Sequence, residues 1–563
     1  MINVVIRKSK FMPDDNSAYL SFPYNQEVID TIKELRYRSW IKGSKEWEIR
    51  IEDLPHIFNS FPNHTFDISG RYVELSPSLD FSLDDYKFKT DCYKHQIEGF
   101  KYGMMHERWL LGDEQGLGKT KQVIDIAVAK KQFFNFSHCL IVCGVNGLKW
   151  NWQNEIAKHS NETGYILGQR VRKKTGEIYI GSNKDKLDDI KRLEEINDYF
   201  IITNVETLRD DEITAWIVKW LHSESSCKIN MIAADECHKM KNPSSQQGKG
   251  FIKLDSDVRI ALTGTPLMNS PLDLYIILRW LGFEKHAFYS FKNYYAVYGG
   301  YGGYQIVGYK HLDELEEQLQ SIMLRRLKKN VLDLPEKTYI DNYVDMTAKQ
   351  ALIYKEIKAD IKANIDMISV SPNPLAEMIR LRQATGYTGI LSSTVQESAK
   401  LDRMMEIIAD ARENGQQIVV FSNWSQITDE VCRRIHGNYT YVTITGETKD
   451  ADRQKNVEAF QDGRAEIIIG TTAAMGTGLT LTNGTVEIFL DEPWSMALRE
   501  QAVDRCHRIG QQSNITIYTL MCKGTIDEKI HKLVYEKGKM SDRIVDNCGN
   551  IIDKRELVDY LLD

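Results

Sequence analysis

Residues 110–120 read LLGDEQGLGKT, and this stretch says most about the fold. A short apolar run leads into a glycine-rich loop, and a Lys-Thr pair opens the segment that follows. Such a loop presents successive backbone N–H groups ahead of a helix N-terminus, which suits a triphosphate. The backbone expected to approach the phosphates is that of Gly116, Leu117 and Gly118. Lys119 would reach the β- and γ-phosphates as a catalytic residue and Thr120 would ligate Mg²⁺, so ATP and Mg²⁺ are the predicted ligands.

An acidic pair, Asp235 and Glu236, comes directly after the apolar run at residues 229–234. The carboxyl end of a strand in an open α/β sheet is where a ligand site is expected. Asp235 would hold Mg²⁺ through its water shell, and Glu236 would orient and deprotonate the attacking water. In isolation the pair is equally compatible with a solvated strand end. The upstream glycine-rich loop favours the catalytic interpretation.

The fold class follows from short, almost purely apolar runs that recur along the chain. They are residues 139–143, 199–203, 229–234, 417–421, 466–470, 486–490 and 515–519. Continuous apolar runs indicate parallel strands covered by helices on both faces. Amphipathic helical stretches, such as residues 121–131 and 451–461, lie between them. The sequence therefore predicts an α/β fold with two parallel-sheet lobes.

The segment between the two groups of strands is predicted to be mostly helical. The expected helices span residues 312–330, 348–368 and 375–384, and a Gly/Tyr-rich patch at 294–309 is expected to be a loop. The predicted domains are a small α+β module at 1–80, lobe 1 at 81–285, helical insertions and a linker at 286–400, lobe 2 at 401–525, and a helical brace at 526–563.

Composition limits the choice of function class. The formal net charge is −7, so any positive charge that binds nucleic acid must be local. The apolar run at the N-terminus is too short for a signal peptide, and no run approaches the roughly 20 residues of a membrane span. A soluble protein, cytoplasmic or nuclear, is expected. The nine cysteines show no CxxC pair, which favours buried free thiols over a zinc site.

The order of further segments resembles superfamily 2 helicases, and specifically the SNF2 family, over nearly the whole chain. The matching segments are residues 93–100 (the Gln motif), 113–120 (motif I), 151–155 (Ia), 203–208 (Ib), 235–238 (the DExH box), 420–424 (IV), 471–479 (V) and 501–511 (VI). The SNF2 form of motif I accounts for Asp113, which stands where the general phosphate-loop pattern has glycine. The resemblance implies two RecA-like lobes with ATP in the cleft between them. The further nucleotide-binding residues that it implies are Gln96 (reading the adenine), Asp113, Gly476 and Gln501.

Motif VI contains two arginines, Arg505 and Arg508, three positions apart and expected on one helix, where they would share one face. The resemblance implies that they insert between the lobes and touch the γ-phosphate as catalytic residues. Arginine fingers can contribute roughly 10³–10⁵ in rate. An RxxR pair alone would be equally compatible with a surface helix.

Three features are similar to the HARP-containing annealing-helicase branch or to the SNF2 interlobe segment. Residues 323–337 resemble the segment that links the lobes, and Asp504 before Arg505 is similar to the annealing branch. Residues 19–54 resemble the HARP module, with basic residues interleaved with aromatic ones. The basic residues are Lys33, Arg36, Arg38, Lys42 and Lys45; the aromatic ones are Tyr37, Trp40 and Trp47. They suit phosphates and unpaired bases, or they form a solvated helix face over a small aromatic core; both interpretations stay open.

The resemblance implies an ATP-dependent translocase that moves along duplex DNA and remodels or reanneals branched DNA, in repair, recombination or replication. Motifs Ia, Ib, IV and V would contact mostly phosphates, so binding would be largely independent of sequence. No membrane partner is expected. One alternative is a strand-separating helicase or the motor subunit of a restriction or defence complex. Another is a DNA-binding scaffold with weak ATPase, against which the intact catalytic residues argue.

Overall fold

The computed structural model describes residues 2–8, 16–35, 38–61, 66–69, 85–174, 176, 178–240, 242–264, 270–299, 303–364, 375–476 and 478–535. The chain divides into two compact units, Met1–Asp80 and Phe81–Asp563. Within the described residues, no helix combines the length and the apolar character needed to cross a membrane.

The described residues of the first unit form a five-stranded sheet with two α-helices. Its strands are β1 (Ile2–Lys8), β2 (Asn16–Ser21), β3 (Arg38–Ile41), β4 (Glu46–Arg50) and β5 (Phe66–Ser69), and its helices are α1 (Gln26–Glu34) and α2 (Leu54–Ser60). The sheet order is β3-β4-β2-β1-β5, and only the β1–β5 pair is parallel. The Asn25 side chain caps α1 by accepting from the N–H groups of Glu27 and Val28.

The second unit begins with a seven-stranded parallel sheet, lobe 1. Its helices and strands up to the acidic pair are α3 (Lys94–Met105), β6 (Arg108–Leu111), α4 (Lys119–Phe134), β7 (His138–Cys143), α5 (Leu148–His159), β8 (Gly164–Ile166), β9 (Gln169–Val171), β10 (Ile178–Ile180), α6 (Asn183–Lys191), β11 (Phe200–Asn204), α7 (Asp211–Leu221) and β12 (Ile229–Asp235). Then come α8 (Gln246–Ile252), β13 (Val258–Leu262), α9 (Tyr275–Leu281), α10 (Phe288–Tyr295), β14 (Ala296–Gly299), β15 (Gln305–Tyr309), α11 (Leu312–Ile322) and β16 (Met323–Leu324). The sheet order is β16-β6-β13-β12-β7-β11-β8, which places β12 at its centre and β6 two strands away, beyond β13.

A six-stranded parallel sheet forms lobe 2. Its elements are α12 (Lys328–Val331, leading in), β17 (Lys337–Val344), α13 (Ala348–Ala363), α14 (Leu375–Gly386), α15 (Ala399–Glu413), β18 (Gln417–Ser422), α16 (Ser425–Ile435), β19 (Tyr441–Ile444), α17 (Asp450–Gln461), β20 (Ile467–Thr471), α18 (Thr472–Met475), β21 (Gly484–Phe489), α19 (Met496–Val503) and β22 (Ile515–Cys522). The sheet order is β17-β22-β21-β18-β20-β19. All seven apolar runs singled out in the sequence form strands of these two sheets, so the predicted α/β fold with two parallel-sheet lobes is confirmed.

The segment between the lobes differs from the sequence-based prediction in two places. The Gly/Tyr-rich patch is not a loop. Its strands β14 and β15 pair as an antiparallel hairpin, and Ala296 and Tyr309 are the first pair of residues in that register. The helix expected over residues 312–330 ends at Ile322, because Met323 and Leu324 add a short parallel strand to β6. Residues 325–336, here called the strap, therefore run from the sheet of lobe 1 to the sheet of lobe 2.

The other predicted helices of this segment are found with shifted ends. Helix α13 ends at Ala363, and residues 365–374 lie outside the described part of the chain. Of the predicted C-terminal brace, residues 526–535 are helical, and their apolar side chains pack against α13, while residues 536–563 lie outside the described part.

Candidate nucleotide site between the two lobes

The glycine-rich loop joins the end of β6 to the start of α4, as a phosphate-binding loop requires. Gly116 and Gly118 have φ angles of 82° and 75°, in the left-handed region that glycine adopts without strain. The Lys119 ammonium donates to the carbonyl of Asp113 at 2.8 Å and to that of Glu114 at 3.4 Å. Burial lowers the pKa of Lys119, while the nearby carboxylates, Glu236 first, oppose that shift. The loop thus curls around a cation at the N-terminus of a helix, and Thr120 follows as the second residue of that helix.

The acidic pair lies at the C-terminal end of β12, on the same edge of the sheet as the loop. The Asp235 carboxylate accepts from the indole N–H of Trp152 at 2.8 Å and from the backbone N–H of Glu236 at 2.9 Å. Burial, together with the charge of Glu236, raises the pKa of Asp235 to about 6. Trp152, on α5, was not singled out in the sequence beyond its motif, although it fixes the carboxylate that would face the metal. Glu236 has a φ of 49°, which turns the chain sharply after the strand.

Motif VI of lobe 2 lies directly against the glycine-rich loop of lobe 1. The Arg505 guanidinium donates to the side-chain oxygen of Gln115 and, through Nε, to the carbonyl of Gln501 at 2.9 Å. A Cβ atom built on Gly116 would lie 2.8 Å from Cβ of Arg508. Burial and the charge of Arg508 lower the pKa of Arg505 to about 10, so it stays charged near neutral pH. Both arginines therefore lie at the loop that would carry the phosphates.

The expectation that the two arginines share a helix face is wrong. Helix α19 ends at Val503, and Arg505 and Arg508 lie in the turns that follow it. The chain leaves the helix because other segments bond to it: the Leu481 N–H donates to the Arg505 carbonyl at 2.9 Å, and the Arg508 guanidinium donates to the Leu479 carbonyl at 3.1 Å. The arginines are therefore placed by these tertiary contacts and, for Arg505, by bonds to the last turn of α19, and not by a shared helical face.

The remaining sequence-predicted residues lie around this cleft in different ways. Gln501 donates to the carboxylate of Glu236 at 3.3 Å, which joins the two lobes directly. Gln96, expected to read an adenine, accepts from the Tyr93 N–H at 3.1 Å and donates to the Leu117 carbonyl at 3.3 Å. Gly476 caps the short helix α18 in lobe 2. These contacts bring Gln96 and Gln501 to the loop and the acidic pair, whereas Gly476 is placed only in the neighbouring motif V segment.

The Asp113 side chain contacts residues of the protein and was expected to contact the nucleotide. Its side chain is fully buried, and its carboxylate accepts two hydrogen bonds from Arg326, at 2.9 and 2.6 Å, and one from Gln122 at 3.1 Å. Arg325, beside Arg326, donates to the Gly112 carbonyl at 3.1 Å. Asp113 therefore contributes by fixing the loop to the strap. Sequence reasoning recognised the strap as an interlobe segment but did not connect its arginines to the loop.

A buried carboxyl group, Glu487 of β21, lies beneath motif VI. Burial raises its pKa from 4.5 to about 8, and the Cys506 thiol and the Arg499 guanidinium only partly oppose that rise. Below pH 4.5 the group is protonated in both the folded and the unfolded chain. As the pH rises towards 8, the unfolded chain releases the proton while the folded chain keeps it, so the free energy of unfolding falls across this window.

Replacing Glu487 with glutamine is expected to raise the free energy of unfolding at pH 8 by about 1–3 kcal/mol, because the neutral amide removes the proton-linked cost but still needs partners. The gain should disappear near pH 5. Urea unfolding at both pH values checks this, with the exposed Glu413→Gln as the matched control. An equal change at both pH values would contradict the assigned cause.

Comparisons with known proteins identify the family of this chain. A family model described as the SNF2-related domain matches residues 95–412, and one described as the helicase conserved C-terminal domain matches residues 399–510. The chain belongs to the SNF2-related family. Its SNF2 relatives include Protein CHROMATIN REMODELING 24 of Arabidopsis thaliana, 26% identical over 88% of this chain and 51% of that protein. They also include an uncharacterized ATP-dependent helicase of Mycoplasma pneumoniae, 27% identical over 82% of this chain and 43% of that protein.

A third SNF2 relative is the SWI/SNF-related matrix-associated actin-dependent regulator of chromatin subfamily A-like protein 1 of Xenopus tropicalis. It is 25% identical over 95% of this chain and 56% of that protein. The chain spans about half the length of these curated relatives. Among solved structures, it is similar to the Sulfolobus solfataricus SWI2/SNF2 ATPase core in complex with dsDNA, with 26% identity, 83% of this chain and 96% of that chain covered, and a TM-score of 0.37. The SNF2 prediction made from the motifs is confirmed.

Proposed function

We propose that this chain is a DNA-dependent ATPase of the SNF2 type that moves along duplex DNA. The observation that carries the proposal is the composite pocket: Arg505 and Arg508 of lobe 2 lie on the glycine-rich loop that contains Lys119 in lobe 1. A pocket shared by two lobes couples the state of the nucleotide to the angle between them. The membership in the SNF2-related family supports the same activity.

The residues of the pocket fit Mg²⁺ and a triphosphate. Lys119, Arg505 and Arg508 converge on the loop, and their charges complement those of the phosphates. The hydroxyl of Thr120 and the carboxylate of Asp235 offer the oxygen ligands that Mg²⁺ prefers. When bound, the metal would neutralise charge on the β- and γ-phosphates.

The protein's own groups would then act on the phosphates and the water. Lys119 would exchange the loop carbonyls for phosphate oxygens, and Glu236 would orient the attacking water and accept its proton. Arg505 and Arg508 would stabilise charge on the transferred phosphoryl group. Loss of the γ-phosphate removes the group that the arginines and Lys119 share, so the lobes can separate. Translocation follows if the grip of each lobe on DNA changes with that separation.

A finer proposal concerns branched DNA and the first unit. On β3 and β4, the paired Trp40 and Trp47 have ring centroids 5.3 Å apart, and Trp40 is 44% exposed. Lys33, Arg38, Lys42 and Lys45 are exposed in the same segment, whereas Arg36 and Tyr37 lie outside the described residues. Exposed rings and cations suit unpaired bases and phosphates. We infer that this unit is an accessory nucleic-acid-binding module that directs the motor to branched DNA, where it would reanneal or remodel strands.

DNA is expected to raise the ATPase rate strongly, because a motor hydrolyses productively only when DNA holds its lobes. The stimulation should be largely independent of sequence and sensitive to salt. If six or more phosphates are contacted, the DNA concentration for half-maximal rate should rise at least ~10³-fold when salt is raised from about 50 to about 200 mM. Steady-state ATPase with single-stranded, duplex and forked DNA measures this.

The ATPase assay, together with displacement and reannealing assays, separates the proposal from its alternatives. Equal rates with and without every DNA would indicate a nucleotide switch or a scaffold with weak ATPase. Triplex displacement without strand displacement would support a duplex translocase, whereas unwinding of a forked duplex would support a strand-separating helicase. Faster reannealing of a bubble substrate by the whole chain than by a Trp40→Ala variant would support the role given to the first unit.

A further inference from the structure

The strap contributes a buried lysine to the boundary between the lobes. Lys328 opens helix α12 and is 4% exposed. Its backbone N–H donates to the carboxylate of Glu114, in the glycine-rich loop, at 2.7 Å. A Cβ atom built on Gly116 would lie 3.2 Å from its Cε. The side chain therefore passes over the loop on its way to lobe 2.

The ammonium of Lys328 bonds to two positions of motif VI. It donates to the Asp504 carboxylate and, at 2.7 Å, to the His507 carbonyl. Asp504 immediately precedes Arg505, and His507 immediately precedes Arg508. One cation thus holds the residue before each arginine of the site.

The position of these arginines needs such a tether. They lie beyond the end of α19: the Arg505 N–H still donates to the Ala502 carbonyl of the last helical turn at 3.0 Å, whereas the Arg508 N–H donates to the Cys506 carbonyl outside the helix. Burying an ion pair is costly unless further hydrogen bonds accompany it, and the Lys328 ammonium has the His507 carbonyl as an acceptor besides its ion-pair partner Asp504. The backbone of Lys328 is bonded to Glu114 of lobe 1 and its side chain to motif VI of lobe 2. Lys328 therefore fixes the position of motif VI relative to the glycine-rich loop.

We propose that Lys328 is a positioning residue that sets the register of Arg505 and Arg508 against the glycine-rich loop. This rests on the proposed ATPase activity. The ammonium of Lys328 makes two hydrogen bonds to lobe 2, so Lys328 would act through the arginines. Lys119 would bind the phosphates directly. The strap is then part of the catalytic arrangement and not only a connection between lobes.

The test replaces Lys328 with methionine, which keeps the length of the side chain and removes its charge. We expect kcat at saturating DNA to fall about 10- to 100-fold, the scale of lost charge-assisted hydrogen bonds. The affinity for a non-hydrolysable ATP analogue should stay within about 3-fold of wild type, because Lys119 and the loop remain. The matched control is Lys329→Met at the next residue, which is exposed and should leave both values unchanged.

A second background separates positioning from a general structural role. In an Arg505→Ala/Arg508→Ala protein, adding Lys328→Met should lower the single-turnover rate no further, because there are no arginines left to place. Asp504→Asn, which is isosteric, should reduce kcat in the same direction by a smaller factor. It serves as the second variant if thermal unfolding shows that Lys328→Met does not fold.

Two results would overturn the inference. One is a wild-type kcat in both Lys328→Met and Asp504→Asn. The other is an equal fold-loss from either change with and without the arginines, which would mean direct action on the nucleotide or a loss of structure. A wild-type chain without DNA-stimulated ATPase would instead overturn the proposed function, so the two failures are distinguishable.

Discussion

Lys119→Ala is expected to abolish ATP hydrolysis and to weaken ATP binding. The ammonium is the cation around which the loop curls, bonded to the carbonyls of Asp113 and Glu114. These contacts would be exchanged for phosphate oxygens, so the loss removes a charge from both the ground state and the transition state. We expect kcat/KM to fall by at least ~10³-fold. DNA-stimulated phosphate release and equilibrium binding of an ATP analogue measure the two effects.

The fold should survive this change, because the Lys119 side chain bonds only to loop carbonyls. Lys101→Ala, an exposed lysine of α3, is the matched control and should behave as wild type. Turnover at the wild-type rate in the Lys119→Ala protein would show that the phosphates bind elsewhere.

Arg505→Ala should give the second large effect, with a different signature. Its guanidinium reaches Gln115 across the lobe boundary, and so it would stabilise the transition state rather than hold ATP. We expect kcat to fall by roughly 10³–10⁵ while the affinity for an ATP analogue changes little. Single-turnover hydrolysis at saturating ATP and DNA reports the chemical step directly.

Arg464→Ala is the matched control in lobe 2, since Arg464 is exposed and pairs only with exposed Asp462. A proportional loss of ATP affinity in Arg505→Ala would mean that Arg505 acts in the ground state. An unchanged kcat would remove it from the catalytic residues.

The two-lobed fold could be predicted from the sequence because burial on both faces leaves an unambiguous pattern. Runs such as residues 139–143 and 467–470 contain no polar side chain, and their parallel pairing confirmed the α/β class. The loop before α4 could be placed because Gly116 and Gly118 meet a backbone requirement that few other residues satisfy. In both cases the signal is local in the chain.

What could not be predicted depends on contacts between distant segments. The break of the predicted 312–330 helix at Ile322 follows from pairing with β6, about two hundred residues earlier. The placement of Arg505 and Arg508 beyond α19 follows from bonds to Leu479, Leu481 and Lys328, which no periodicity encodes. The bond of Asp113 to Arg326 of the strap joins residues 213 positions apart, and so the motif alone could not indicate it.

The most direct test is the structure of the chain bound to a non-hydrolysable ATP analogue, Mg²⁺ and duplex DNA. The quantity to measure is the distance from the Arg505 and Arg508 guanidinium groups to the γ-phosphate held by Lys119. A composite pocket predicts hydrogen-bond distances, about 2.7–3.2 Å, for at least one nitrogen of each arginine. A complex in which Lys119 holds the phosphates while both guanidinium groups point away from them would contradict it.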